Sequence, residues 1–369
     1  MPTLPSMSWL GASASRRSGC RCLIGDLRSS RTSRLGLTIA AWARRRHPRA
    51  SKRQPCTCQG KAAHRTLTPM TSFPGSGTFP WSFASLDGDD ADFDRAAAAI
   101  LPVPYDGTVS YRGGARDGPQ AIIEASRYLE LYEPDLDMEP AQWGIATLPA
   151  LEPDASGPEA NIFHVEHAIG ALADAGKLPV MLGGEHSLTV GAVRALVQRH
   201  PGLSVLQLDA HADMRDSYQG SRYSHACVMR RLREIVEDGS VVQAGIRSIS
   251  SEEMQHIRDA GVTGVHLYTP GQYSDPAAID ELLAGLGETV YVTVDLDALD
   301  PSIMPAVGTP EPGGLSWQET LSILRAVAQR SRVVGFDVME LAPNEGPTHG
   351  AFTAARLTYK LIGYALAGR

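Results

Sequence analysis

From Ala96 to the C-terminus, short apolar runs alternate with longer stretches that have a helical period. This alternation is typical of βαβ units, which build a largely parallel sheet. The runs are apolar throughout, as expected for strands that helices cover on both faces. The sequence therefore predicts an α/β domain. The predicted strands are residues 98–103, 179–182, 204–209, 241–244, 264–268, 289–295 and 333–337, and the predicted helices are residues 119–132, 162–175, 188–199, 226–237, 252–260, 277–284, 317–329 and 352–366.

Four of the predicted strands run into polar motifs where they end. These motifs are G-G-E-H-S at 183–187, D-A-H-A-D at 209–213, D-L-D-A-L-D at 295–300 and D-V-M-E at 337–340. In open α/β sheets, ligands bind beyond the carboxyl ends of the strands. A single motif of this kind is usually a helix cap or a solvated loop. Several of them after apolar strands indicate one shared site.

The spacing of the acidic residues indicates a metal site. Residues two apart in an extended segment point the same way, so Asp209, His211 and Asp213 can converge. Asp295 and Asp297 form a second such pair. Carboxylates brought together without a cation repel one another, and burial raises their pKa values. Mixed oxygen and nitrogen ligands suit Mn(II), and two divalent cations about 3.5 Å apart can convert a shared water to hydroxide near neutral pH.

The motifs resemble, in order and spacing, the signatures of the ureohydrolase (arginase/agmatinase) family. The likeness runs from about Ile100 to the C-terminus and includes D-L-D-A-L-D-P-S and G-T-P-E-P-G-G-L. The resemblance implies a three-layer α/β/α fold around an eight-stranded parallel sheet. It also implies hydrolysis of guanidinium groups with release of urea, two Mn(II) ions per subunit, and a homo-oligomer, either a trimer or a hexamer.

Carried over residue by residue, the resemblance assigns a role to each motif. One Mn(II) would be held by His186, Asp209, Asp213 and Asp295, and the other by His211, Asp209, Asp295 and Asp297. Asp209 and Asp295 would then bridge the two ions. His225 matches the family's proton shuttle, Glu340 the acid that receives the guanidinium, and Asp213 a hydrogen-bond acceptor for the hydroxide. Residues 104–119 resemble the family's early glycine-rich loop, and we expect them at the mouth of the site, although a plain loop is as good an interpretation.

The resemblance also bears on the substrate. Arginases have an Asn two residues after the last Asp of D-A-H-x-D, whereas Met214 and Arg215 follow Asp213 here. This favours an agmatinase, which converts agmatine to putrescine and urea in polyamine biosynthesis. Aminopropyl agmatine, a guanidino acid and arginine stay open as substrates of the same chemistry. A non-catalytic binding protein of the same fold is the alternative of another class.

The first 69 residues differ sharply from the rest of the chain. They hold fourteen Lys and Arg against one acid, Asp26, whereas residues 70–369 hold 20 basic and 40 acidic residues. We predict a disordered basic leader at 1–69, a lead-in at 70–95 and the catalytic domain at 96–369. The leader has the composition of a transit peptide, but it also fits a nucleic-acid-binding arm or sequence upstream of a true start at Met70. The acidic remainder argues against a nucleic-acid-binding fold.

Cysteine and hydropathy patterns bear on the cellular location. Four of the five cysteines form two C-x-C pairs in the leader, Cys20 with Cys22 and Cys56 with Cys58. Their spacing is tighter than that of usual zinc sites. Cys227 stands alone in the rest of the chain, which fits a reducing compartment. No apolar run reaches the roughly 18 residues of a membrane span. We therefore predict a cytoplasmic protein, or an organellar one if the leader is a transit peptide.

Overall fold

The computed structural model describes residues 82–236 and 240–368, and this part of the chain contains one eight-stranded sheet. Every strand pairing in it is parallel. The strands are β1 (Ala98–Val103), β2 (Ile145–Thr147), β3 (Leu178–Gly183), β4 (Ser204–Leu208), β5 (Val241–Ile246), β6 (Val265–Leu267), β7 (Thr289–Asp295) and β8 (Arg332–Met339). The predicted α/β class and parallel eight-stranded sheet are confirmed. The seven predicted strands omit β2, because three residues are too few to show a strand pattern.

Helices connect these strands. In the described residues they are α1 (Gly88–Ala91), α2 (Gly118–Ser126), α3 (Pro158–Asp174), α4 (Thr189–Val197), α5 (Val228–Arg233), α6 (Ser251–Ala260), α7 (Pro276–Leu283), α8 (Trp317–Arg330) and α9 (His349–Ala367). Three are shorter than predicted, and one of them, the predicted helix at 188–199, loses only its ends, since α4 spans Thr189–Val197. The predicted helix at 119–132 ends at Ser126, before the chain turns into the bridge between Glu133 and Met138. The one at 226–237 divides into a 3-10 turn, His225–Cys227, and α5.

Alternate residues of each strand face opposite helical layers. On β7, Val290, Val292 and Val294 join the apolar core formed with α2, α7, α8 and α9. Tyr291, between them, joins the core formed with α3, α4 and α5. Both faces of the sheet are therefore buried beneath helices, which explains why the sequences of the strands are continuous apolar runs.

The strand order brings the four polar motifs together. The order is β2-β1-β3-β8-β7-β4-β5-β6, so β8 and β7 lie between β3 and β4. These four neighbours are the strands that end in polar motifs. Because the sheet is parallel, their carboxyl ends lie at one edge, at the point where the strand order reverses.

The described chain begins beside the sheet. Phe83 is fully buried, its N–H donates to Thr147 Oγ1 at 2.9 Å, and the Ala84 N–H donates to Ser126 Oγ at 2.8 Å. The predicted leader, the proposed start at Met70 and the two C-x-C pairs lie outside the described residues. Among the described residues, no helix is long and apolar enough to cross a membrane.

Candidate metal centre

His186 reaches the site through the two glycines that end β3. A Cβ on Gly184 would overlap the backbone carbonyl of Tyr105, so only glycine lets the chain pass there. The following Glu185 N–H donates to that same carbonyl at 2.8 Å. This turn buries the His186 side chain completely in front of the ends of β4 and β7.

Three carboxylates surround one nitrogen of His186. Its Nδ1 lies 3.1 Å from Asp209 Oδ2, 3.3 Å from Asp213 Oδ2 and 3.3 Å from Asp295 Oδ2. Its Nε2 lies 2.8 Å from the hydroxyl of Thr293. Within the described residues, none of these close carboxylates meets the buried Nδ1 with the geometry of a hydrogen bond.

His211 forms a second cluster beside the first. Its Nδ1 lies 2.9 Å from Asp297 Oδ2 and 3.6 Å from Asp209 Oδ1. The two groups whose donor atoms lie close enough to hold an ion are His186, Asp209 and Asp213, and Asp209, His211 and Asp297. Asp209 therefore belongs to both, with one carboxylate oxygen turned to each histidine.

The titration behaviour of these groups shows how strongly they interact. Burial lowers the pKa of His186, but its contacts with Asp209, Asp213 and Asp295 outweigh burial and raise that pKa well above its ordinary value. Burial and the charge of Asp209 raise the pKa of Asp213 to about 7. Burial also raises the pKa of Asp295 well above normal. A site of buried carboxylates with an unpartnered imidazole nitrogen fits divalent first-row cations, which supply the charge that the site lacks.

Glu340 and Asp213 both have a left-handed backbone. Their φ angles are 65° and 52°, which is uncommon for residues other than glycine and costs energy. The turn at the end of β8 directs Glu340 towards β3, where its Oε1 accepts a hydrogen bond from the His186 N–H at 2.7 Å. Its own N–H donates to the Gly184 carbonyl at 2.9 Å. Burial, and then the charge of Glu185, raise the pKa of Glu340 well above its ordinary value.

His225 faces the site from the turn before α5. Its Nδ1 lies 3.3 Å from Thr108 Oγ1, and its Nε2 lies 3.4 Å from Ser110 Oγ. The Thr108 hydroxyl donates in turn to Glu185 Oε1 at 2.7 Å. Burial lowers the pKa of His225 to about 4, so the imidazole is neutral at physiological pH.

A cavity of about 280 Å³ joins these groups. Seven of the eight predicted site residues line it, and Asp209 lies fully buried beneath them. The seven are His186, His211, Asp213, His225, Asp295, Asp297 and Glu340. Their roles as ligands, shuttle and substrate carboxylate stay predictions.

Two loops contribute to the lining of the cavity. Residues 109–112 come from the glycine-rich loop, and Arg215 and Tyr218 come from the loop after β4. The Arg215 guanidinium lies over the Tyr218 ring, 5.0 Å from its centroid. Arg116, by contrast, pairs with Asp106 and does not line the cavity.

Sequence reasoning missed several residues that support the site. They are Thr108 and Ser110, which contact His225, and Glu185, Gln207 and Thr293, which bond to other site groups. Gln207 and Thr293 carried a signal, because each is a polar residue inside an apolar strand and stands two residues before a predicted ligand. Thr108 and Ser110 lie within the glycine-rich loop at 104–119, but no local pattern marks these two residues, because their contacts with His225 join positions 117 and 115 residues apart.

Comparisons with known proteins agree with this geometry. The model of the arginase family matches residues 96–363. The chain is 41% identical over 278 residues to the N(1)-aminopropylagmatine ureohydrolase of Synechocystis, which covers 73% of this chain and 89% of the relative. It is 38% identical over 291 residues to the agmatinase of Pyrococcus horikoshii, with 78% and 96% covered. The crystal structure of agmatine ureohydrolase of Thermoplasma volcanium superposes with a TM-score of 0.69 at 33% identity, covering 78% of this chain and 96% of that one.

Proposed function

The chain belongs to the arginase family and is a hydrolase that acts on guanidino groups, and from this premise we propose that its substrate is agmatine and its cofactor a pair of Mn(II) ions. The products would be putrescine and urea. The observation that carries the proposal is the single cavity in which both candidate ligand groups meet Glu340 and His225.

The residues proposed to hold the ions are those of the two clusters together with Asp295. One ion would be held by His186, Asp209, Asp213 and Asp295, and the other by His211, Asp209, Asp295 and Asp297. The unpartnered Nδ1 of His186 supports this assignment. When bound, the two ions would supply a hydroxide nucleophile at neutral pH.

Glu340 would bind the guanidinium of the substrate. A planar guanidinium pairs best with a carboxylate that offers two acceptor oxygens. Within the described part of the chain, Oε1 of Glu340 accepts a hydrogen bond from the His186 N–H, whereas no such bond is made to Oε2. That bond fixes the carboxylate, and a cation beside it favours the charged form that burial alone disfavours.

His225 would deliver the proton that the departing amine needs. Its neutral imidazole can accept a proton on one nitrogen and donate one from the other. Ser110 and Thr108 each lie within 3.4 Å of one ring nitrogen and hold the ring at the edge of the cavity. Asp213 would accept a hydrogen bond from the attacking hydroxide, because its Oδ2 faces the same space as His186 Nδ1.

The aminopropyl derivative of agmatine is the second candidate substrate. The relative from Synechocystis bears that name, and its identity to this chain exceeds that of the agmatinase from Pyrococcus. Both compounds lack the amino-acid end of arginine, and Arg215 stands where arginases have the Asn that helps to bind that end. A site without those partners leaves the carboxylate of arginine desolvated, which costs a few kcal/mol.

The deciding experiment measures urea release from agmatine, aminopropyl agmatine, guanidinobutyrate and arginine with Mn(II) present. We expect kcat/KM for agmatine or its aminopropyl derivative to exceed that for arginine by at least about a hundredfold, the factor that a few kcal/mol gives. Arginine as the best substrate would overturn the substrate assignment. Urea from none of the four would favour a binding protein that keeps the fold. A cytoplasmic location and a homo-oligomer stay predictions.

A further inference from the structure

A row of polar side chains crosses the sheet just below the candidate ligands. The Cα register pairs Gln243 with Gln207, Gln207 with Thr293, and Thr293 with Asp337, on the adjacent strands β5, β4, β7 and β8. Registered residues of parallel strands point to the same face. All four side chains are fully buried. We call these four residues the polar row.

Packing alone does not explain the polar row. It faces the helical layer of α3, α4 and α5, and Val205 and Tyr291, one step back on the same face of β4 and β7, belong to that apolar core. A buried polar group is costly unless it is hydrogen-bonded, and an apolar side chain would fill such a position at lower cost. The row therefore needs another role.

At one end, hydrogen bonds orient the row towards Asp209. Arg233 Nη2 donates to Gln243 Oε1 at 3.2 Å, so the amide NH₂ of Gln243 must face the other way. It donates to Gln207 Oε1 at 2.6 Å. This leaves the NH₂ of Gln207 to donate to Asp209 Oδ2, also at 2.6 Å. The chain of bonds fixes the carboxylate that both candidate clusters share.

At the other end, the row orients His186. Thr293 Oγ1 lies 2.8 Å from His186 Nε2, and the hydroxyl of Thr189 lies 3.4 Å from Thr293 Oγ1. Thr189 and Tyr291 each donate to Asp337 Oδ2 at 2.8 Å. With Thr293 as acceptor, the ring proton resides on Nε2, and the lone pair of Nδ1 faces the three carboxylates.

We propose that the polar row positions the metal ligands, with Thr293 setting the tautomer of His186 and Gln207 fixing the carboxylate of Asp209. This inference rests on the proposed function, in which both clusters bind Mn(II). Outer partners of this kind orient ligands, and their loss typically costs about 10- to 100-fold in metal affinity. Thr293 and Gln207 differ in the number of clusters that they affect. Thr293 contacts one cluster, whereas Gln207 contacts the residue that both clusters share.

The test compares Mn(II) binding by full-length variants at equilibrium. Thr293→Val removes the hydroxyl with little change of shape, Thr293→Ser keeps it, and Gln207→Met removes the amide. Thr358→Val is the matched control, because Thr358 is buried in α9 and, among the described residues, its hydroxyl donates only to the Ala354 carbonyl. Bound Mn(II) per chain is counted by equilibrium dialysis, and thermal unfolding is recorded for each variant.

We expect Thr293→Val to weaken the binding of one of the two Mn(II) ions by about 10- to 100-fold, whereas Thr293→Ser should bind both ions with nearly wild-type affinity. Gln207→Met should weaken the binding of both ions, and Thr358→Val should weaken the binding of neither. If Thr293→Val does not fold, Thr293→Ala against Thr293→Ser gives the same comparison. Variants that unfold at lower temperature but bind both ions with wild-type affinity would overturn the positioning role while leaving the proposed function intact. A wild type that binds no Mn(II) would overturn both.

Discussion

At the residue scale, Asp209 is the group on which both clusters depend. Each of its oxygens faces a different histidine, and the side chain is fully buried. Asp209→Asn removes one charge and turns one acceptor into a donor without changing the shape. We expect it to lower Mn(II) content below two per chain and to abolish urea release, as measured by metal analysis and a urea assay on the same sample. Asp174→Asn, which alters an exposed pair with Arg199, is the control and should change neither. Full activity in Asp209→Asn would contradict the assignment of the ligands.

The pKa of His225 gives a second prediction at this scale. Burial lowers that pKa to about 4, whereas in the unfolded chain it returns to about 6.5. Between pH 4 and pH 6.5 the unfolded state binds more protons at His225 than the folded state does. The contribution of His225 to stability is therefore fully present above about pH 6.5 and is lost as the pH drops towards 4. We expect the melting temperature of His225→Asn to fall less than that of the wild type between pH 7 and pH 5.

Calorimetry of both proteins across this range measures the difference. His167→Asn, at an exposed position of α3, is the control for the replacement of a histidine. Equal slopes for His225→Asn and the wild type would mean that His225 titrates normally in the folded chain. The same variant should keep its Mn(II) but lose urea release, because His225 is proposed to move a proton and not to bind metal.

At the element scale, Arg247 braces the loop that carries Asp297. Its guanidinium donates to the carbonyls of Asp297 and Glu311, both at 2.7 Å, and to that of Ala298 at 3.1 Å. The amides of Gly313 and Gly314 donate to Asp300 Oδ2, which closes the same loop. Both positions need glycine, because Gly313 has a φ of 75° and a Cβ on Gly314 would lie 2.5 Å from the backbone nitrogen of Asp300.

Arg247→Lys should therefore destabilise the protein and loosen the second cluster. A lysine ammonium has three donors on one atom and cannot span carbonyls that lie on both sides of a guanidinium. We expect a loss of about 1–3 kcal/mol, the cost of leaving partly buried carbonyls unpaired, with weaker binding of one Mn(II). Thermal unfolding and metal analysis test both effects, and Arg258→Lys, exposed on α6, is the control. An unchanged melting temperature would show that the loop is stable without the hydrogen bonds of Arg247.

The same loop shows what sequence could and could not predict. The apolar strands and the motifs after them can be predicted from the sequence, because the period of a strand and the chemistry of a ligand are local properties. The insertion of β7 and β8 between β3 and β4 follows from long-range packing, so the sequence predicted a shared site at the strand ends but not the order of the strands that form it. Arg247 and Thr108 act through contacts with residues distant in sequence, at 297 and 185. No local pattern reports such contacts.

At the scale of the whole molecule, charge is distributed unevenly along the sequence. Residues 70–369 hold twice as many acidic as basic residues, and the candidate substrates carry two or more positive charges. Such a field raises the rate of encounter and is screened by salt. We expect kcat/KM for agmatine to fall between 20 and 300 mM NaCl by more than that for guanidinobutyrate, whose net charge is zero. Equal salt dependence for the two would exclude steering by the field of the whole molecule.

The boundary of the folded unit supplies the last prediction. The family match begins at residue 96, yet the described chain is anchored earlier, by the buried Phe83 and by the amide of Ala84 on Ser126. A chain that begins at Met70 keeps this anchor, so we expect wild-type melting temperature, Mn(II) content and urea release from it. A chain that begins at Asp87 loses Phe83, and truncation of a buried Phe typically costs about 3–5 kcal/mol. Its melting temperature should therefore fall clearly below that of the Met70 chain. Loss of soluble protein on the first truncation would mean that residues before Met70 contribute to the fold, whereas equal stability of the two shortened chains would mean that the Phe83 contact does not.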